Sequence, residues 1–236
     1  MLRCLVVVAV MAAVGLTAGL TAASEVVHLT TQDWPPYQML AGDRIDGVAV
    51  RVLRCVFGRL GVEPQITMAP WLRAQQEVRE GRADGFFVAT ENAERNSYAT
   101  LSAPIVPETR RWYWRHDRNV DVSDKTISVA AQGGTVMHEW LIAGGYTNVR
   151  SMLTTDDLIH SLENNTIDAA LANQLVFDWS TAVAGIPPAA FRSSTVSEVG
   201  LGIYFRNRYL AEHPGLLQRF NDQAADCRLD AHLSSE

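Results

Sequence analysis

Lysine is almost missing from this 236-residue chain: Lys125 stands alone, and the other basic residues are scattered arginines and histidines. With 26 acidic residues against 20 basic ones and a net charge of −6, the chain has no basic patch for nucleic acid. The signatures of common catalysts are missing too. There is no Gly-x-Ser-x-Gly, Cys-x-x-Cys, Gly-x-Gly-x-x-Gly or phosphate-loop pattern. His138-Glu139 does not open a zinc-protease motif, because Ile142 stands where the second histidine is needed. The six histidines show no metal spacing, so neither a metal nor a cofactor is expected. Beyond the first 23 residues no apolar run reaches the length of a membrane span.

What is present begins with a leader. Arg3 gives a short positive start, Leu5 to Leu16 is apolar apart from Gly15, and Thr21-Ala22-Ala23 offers small residues for cleavage. Residues 1–23 therefore read as a secretory signal peptide, with a retained anchor as the alternative. Cys4 precedes the apolar run and is no lipid-attachment cysteine. Cys55 and Cys227 remain after cleavage, and an even pair in an exported chain favours a disulfide over a metal site or a nucleophile. Each lies on an amphipathic helical pattern, one near the start and one near the end. A bridge between them would place both ends of the chain in one lobe.

The element pattern runs twice. Val26–Thr31 reads as a strand, Val48–Leu60 as a helix ended by Gly61, and Gln65–Thr67 as a strand before the helix after Pro70. After Arg111–Trp114, a β-prone run, the order restarts with a strand at Ile127–Ala131 and a helix opened by Gln132-Gly133-Gly134-Thr135. A short strand at Asn148–Met152, a helix at Thr155–Leu162 and a buried strand at Ile167–Leu171 follow. Glu80-Gly81-Arg82-Ala83-Asp84-Gly85 is echoed by Asn164-Asn165-Thr166-Ile167-Asp168-Ala169 at an offset of 84 residues, and both aspartates read as turn or capping residues. Gly200–Phe205 is strand-like, and a helix carrying Cys227 closes the chain. The pattern predicts two α/β lobes joined by two crossings: residues 24–108 with 202–236, and residues 109–201. Ligands of such sheets bind beyond the carboxyl ends of the strands, here facing a cleft.

Pro70 to Arg95 carries the clearest chemistry. A helix stopped by Gly81 leads through a turn into the apolar run Phe86–Ala89, and Asn92 caps a further helix with Glu94 in its first turn. Thr90 and Arg95 then sit beside unpaired backbone N–H groups, which suits a carboxylate or another small oxyanion. The alternative is a surface arginine pairing with Glu91 or Glu94.

Taken in order, several motifs resemble family 3 of the periplasmic solute-binding proteins, receptors for polar amino acids in ATP-driven import. They are Trp34-Pro35-Pro36-Tyr37, Pro70-Trp71-Leu72-Arg73-Ala74, Gly81–Gly85, Thr90 five before Arg95, Leu101-Ser102-Ala103-Pro104, Gln132–Thr135 and Ile167–Leu171. The resemblance implies a type II periplasmic-binding-protein-like clamshell whose C-terminus returns to the first lobe. It implies a monomer in the periplasm that serves an inner-membrane ABC permease. By the same resemblance Arg95 holds the ligand carboxylate, Thr90 assists, Thr135 closes from the second lobe, and Trp34 stacks on the ligand. Tyr37 and Trp71 are further candidates. Asn173 departs from the pattern, because amino-acid-binding members usually carry an aspartate there to meet the α-ammonium. That departure opens a different carboxylate, a peptide-like ligand or a modified amine. The competing functions are an enzyme on the same scaffold, resembling cyclohexadienyl dehydratases, and a sensory receptor. An enzyme would need a general acid such as Glu91, Asp33 or Glu198, and no acid–base pair stands out.

Overall fold

The computed structural model describes residues 25–233, with side chains as far as Arg228. The leader expected at residues 1–23 lies outside the described residues. The first unit contains β1 (Glu25–Thr31), the hairpin β2 (Met39–Ala41) and β3 (Arg44–Asp46), and α1 (Val48–Leu60). It continues with β4 (Val62–Met68), α2 (Trp71–Arg79), β5 (Gly85–Ala89), α3 (Ala93–Asn96) and β6 (Ala99–Leu101). Then come β7 (Val106–Arg115), β8 (Ser128–Gln132), α4 (Val136–Ala143), β9 (Asn148–Met152), α5 (Thr155–Glu163), β10 (Ala169–Asn173) and α6 (Gln174–Val183). A short 3-10 turn leads into β11 (Phe191–Arg206), α7 (Asn207–Glu212) and α8 (Leu216–Leu233).

The strands form one path, β4-β1-β5-β11-β7-β10-β8-β9, with β6 on β11. β1 pairs parallel with β4 and β5, and β8 pairs parallel with β9 and β10. Two small parallel sheets, each covered by helices, thus hang on the antiparallel pair β7–β11. This is an α/β clamshell whose chain crosses between lobes along β7 and β11.

The two long strands are the main departure from the expected elements. Only Arg111–Trp114 and Gly200–Phe205 read as strand in the sequence, yet β7 begins at Val106 and β11 runs for 16 residues from Phe191. The β11 extension is largely polar and half-buried, and that of β7 carries proline and charged residues, so neither shows the apolar alternation that marks a strand. Backbone pairing of Phe191 through Leu201 with Arg115 through Val106 supplies what the side chains do not.

Packing in the first lobe centres on α1, which buries Val50, Leu53, Val56 and Phe57 and stops at Gly61 in the left-handed conformation (φ 71°). Phe57 meets Phe220 of α8 with ring centroids 5.3 Å apart. In the second lobe Tyr113, Leu158, Leu162 and Phe177 pack on one face of the sheet, Trp112, Met137, Leu141 and Tyr146 on the other. The 84-residue echo is physical. Gly81 and Asn165 both take positive φ (78° and 57°). Asp84 accepts from His28 N at 2.9 Å and Asp168 from Ser128 N at 2.9 Å, and each also meets an arginine, Arg206 or Arg118. Both aspartates tie a turn to the first parallel strand of their lobe.

Cys55 of α1 and Cys227 of α8 form a disulfide, with Cα atoms 5.8 Å apart and a sequence separation of 172. Closing so long a loop restricts the unfolded chain, worth up to about 5 kcal/mol in the chain-entropy model. Urea denaturation of a Cys55→Ser, Cys227→Ser double variant should show a loss of several kcal/mol by that model. An unchanged midpoint with an unchanged slope would contradict it.

Candidate functional site

The local sequence sets Arg95 in place. Asn92 caps α3 as expected, its Oδ1 accepting from Glu94 N at 2.9 Å and Arg95 N at 3.1 Å. That turn directs Arg95 inward, where the residue is only 3% exposed. Its Nε donates to Gln75 Oε1 (2.8 Å), Nη1 to Thr90 O (3.1 Å) and Nη2 to Gly134 O (2.9 Å). The guanidinium lies 5.2 Å from the Trp71 ring centroid and 5.9 Å from that of Phe86. Burial pushes its pKa down, opposed by Tyr204, Tyr98, Glu139 and Glu94. The surface alternative fails, because Arg95 is buried, Glu94 pairs with Arg79 and Glu91 accepts from Asn96 Nδ2.

Gly134 belongs to the second lobe, so Arg95 bridges the cleft. Trp71 Nε1 donates to the same carbonyl at 2.9 Å. Asn92 Nδ2 reaches Glu139 Oε2 (2.7 Å), and Gln132 Nε2 reaches Gln32 Oε1 (2.6 Å). These contacts hold the lobes closed around a cavity of about 30 Å³, room for water-sized groups only.

Of the residues expected in the site, Trp34, Trp71, Thr90, Arg95 and Thr135 line this one cavity. Thr135 uses its hydroxyl to cap α4, donating to Gln132 O at 2.6 Å and accepting from His138 N at 3.3 Å. Tyr37 and Asn173 do not line it. They lie behind the wall, Asn173 Nδ2 donating to Tyr37 Oη and to Glu108 Oε1, both at 3.3 Å, while Asn173 Oδ1 caps α6 at Val176 N. Tyr37 Oη in turn donates to Pro107 O at 2.6 Å. Burial first, then the charge of Glu108, pushes the Tyr37 phenol up to about 12, against the lowering effect of the Asn173 bond, so it stays protonated at neutral pH.

Two wall residues escaped the sequence reading: Glu108 and Arg110 of β7. Arg110 Nε donates to Glu108 Oε2 at 2.8 Å and Nη2 to Thr90 Oγ1 at 3.1 Å. Their side chains are 3% and 14% exposed, Glu108 being the more buried. Their i, i+2 spacing puts both on one face of a strand, a signal masked because that stretch read as a crossing. Val88 is the other surprise. The expected uninterrupted strand Phe86–Ala89 bulges there, where the register against β11 shifts between Gly202 and Ile203. Val88 takes φ 63°, a strained conformation for a β-branched residue, on the cavity wall.

A closed two-lobed cleft, a buried arginine aimed across it and a helix N-terminus opposite describe a clamshell receptor, and the sequence matches the model of the bacterial extracellular solute-binding proteins, family 3, over residues 26–230. The chain belongs to that family. Solved structures share the fold at low identity. A histidine kinase sensor domain with similarity to periplasmic binding proteins is 18% identical, with TM-score 0.77 over 89% of this chain and 93% of that one. A substrate-binding protein of an ABC uptake transporter from Streptococcus pneumoniae with bound histidine is 14% identical, with TM-score 0.75 over 89% of each chain. An ancestral arginine-binding protein bound to glutamine is 15% identical, with TM-score 0.72 over 89% of this chain and 95% of that one. No curated protein matches the sequence. Among the described residues no helix is long and apolar enough to cross a membrane, and no cluster of three His, Cys, Asp or Glu residues is placed to hold a metal.

Removing one side of the Glu108–Arg110 pair should leave a mostly buried charge unmatched. Glu108→Leu is expected to destabilise the unliganded protein by about 3 kcal/mol, and adding Arg110→Met should recover most of that loss. A double variant as unstable in urea as the single one would show that the pair is not what holds this part of β7.

Proposed function

We propose that this solute-binding protein is exported to the periplasm by its cleaved leader, residues 1–23. There, as a monomer, it captures a small carboxylate-bearing, amino-acid-like ligand for an inner-membrane ABC permease. Residues 24–108 and 202–236 make one lobe and 109–201 the other, bending near Glu108–Arg111 and Val199–Gly202. The observation that carries this reading is Arg95, a buried guanidinium with no carboxylate at ion-pair distance among the described residues. Its present acceptors are a neutral amide and two backbone carbonyls, one from each lobe. A carboxylate entering the open cleft takes Nη1 and Nη2 together as a bidentate, charge-assisted acceptor, a stronger partner than either carbonyl. Closure then brings the N-terminus of α4, capped by Thr135, onto the same negative charge. Trp34 and Trp71 provide the apolar walls.

Glu108 has one carboxylate oxygen tied to Arg110 and the other to Asn173. Among the described residues Glu108 is the one acid that lines the cavity, and its pairing with Arg110 supports capture without turnover. The likeness to a histidine kinase sensor domain supports a second reading, in which the same cleft reports the ligand to a membrane partner.

Screening small carboxylates by thermal shift, with mass spectrometry of the molecule recovered, identifies the ligand and shows whether it is altered. Against that ligand, Arg95→Met, which keeps apolar bulk beside Trp71, should weaken binding by about 100- to 1,000-fold through loss of a buried charge partner. Unaltered affinity in a folded Arg95→Met protein would refute the assignment.

A further inference from the structure

The cavity wall carries three charged residues, Arg95, Arg110 and Glu108, and all three are largely withdrawn from water. Glu108 is matched by Arg110 at 2.8 Å. Arg95 has no carboxylate at ion-pair distance among the described residues, Glu139 and Glu94 acting on it only from farther away, so the cavity wall itself carries one positive charge in excess. Burial removes the water that would screen it, and a ligand that leaves it uncompensated binds at a penalty.

The opposite pole tells the same story. Behind the wall, Asn173 brings no charge, and its amide is spent on Glu108, Tyr37 and the cap of α6. The one carboxylate lining the cavity among the described residues, Glu108, is already paired with Arg110. An incoming ammonium therefore meets no carboxylate on the wall whose charge is unmatched. Trp34, which lines the cavity, also has a buried Nε1–H with no partner.

From these observations we infer that the cleft selects ligands carrying one net negative charge and disfavours neutral zwitterions and cations. The inference rests on the carboxylate reading above and narrows it. Two kinds of molecule meet the requirement: a monocarboxylate without an amine, and an acidic amino acid whose second carboxylate outweighs its ammonium. In the first, Arg95 alone is neutralised. In the second, the extra carboxylate lies near Arg110, which uses one N–H on Glu108 and one on Thr90 out of the five a guanidinium offers.

Isothermal titration of the exported chain with matched ligands tests this. Each α-amino acid in a size-graded series is compared with its deaminated carboxylate, glutamine against glutaramate among them, and glutamine is compared with glutamate. The anionic member of at least one pair should bind tenfold or more tighter than its zwitterionic twin, and lysine should not bind. Which pair responds separates the two sources: glutaramate over glutamine points to an amine-free acid, glutamate over both to an acidic amino acid. Arg110→Gln removes the excess charge and should abolish the preference. Glu108→Gln with Arg110→Gln restores the excess and should restore the preference, even if the single variant is too unstable to assay. Zwitterions binding as tightly as their anionic twins would overturn the inference and leave the carboxylate reading standing. Failure of every carboxylate to bind the folded protein would overturn both.

Discussion

The antiparallel ladder between β7 and β11 is the constraint on which everything else hangs. It joins two small parallel sheets that are otherwise separate, and it fixes how the carboxyl ends of their strands face one another. It also carries Glu108 and Arg110 on one face of β7, so the link between lobes is itself part of the cavity wall. A bend in this ladder changes the distance from Arg95 to Gly134 and the surroundings of the Glu108–Arg110 pair together.

The contacts that span the cleft are built on buried donors. Arg95 has given up much of its hydration, and Gly134 O together with Thr90 O replaces it in part. Backbone carbonyls carry only partial negative charge, so this arrangement satisfies hydrogen bonding better than it satisfies electrostatics. A carboxylate is a stronger acceptor than either carbonyl, which is the physical basis of the role proposed for Arg95. Val88, at φ 63°, lies on the same wall, where the bulge takes it out of register with β11.

Much of this was legible in the chain itself. The helix patterns around Cys55 and Cys227 predicted which helices would meet, and Asn92 predicted the turn that sends Arg95 inward. The echo of Gly81 and Asp84 in Asn165 and Asp168 predicted two lobes of like construction. What stayed hidden has physical reasons. Strands β7 and β11 are specified by backbone pairing over polar stretches, which leaves little trace in hydrophobic periodicity. Glu108 and Arg110 are ordinary residues until the strand places them on one face. Val88 at positive φ runs against its own preference, so no local rule finds it. Asn173 stood out only against the resemblance; in the structure its amide donates to Glu108, which an ionised aspartate could not do.

The most direct test of the account is a crystal structure of the ligand-loaded protein. The account predicts a ligand carboxylate within hydrogen-bonding distance of both terminal nitrogens of Arg95, with the Gly134 carbonyl displaced from Nη2. A ligand bound elsewhere, with Arg95 still held by the carbonyls of Thr90 and Gly134, would contradict it.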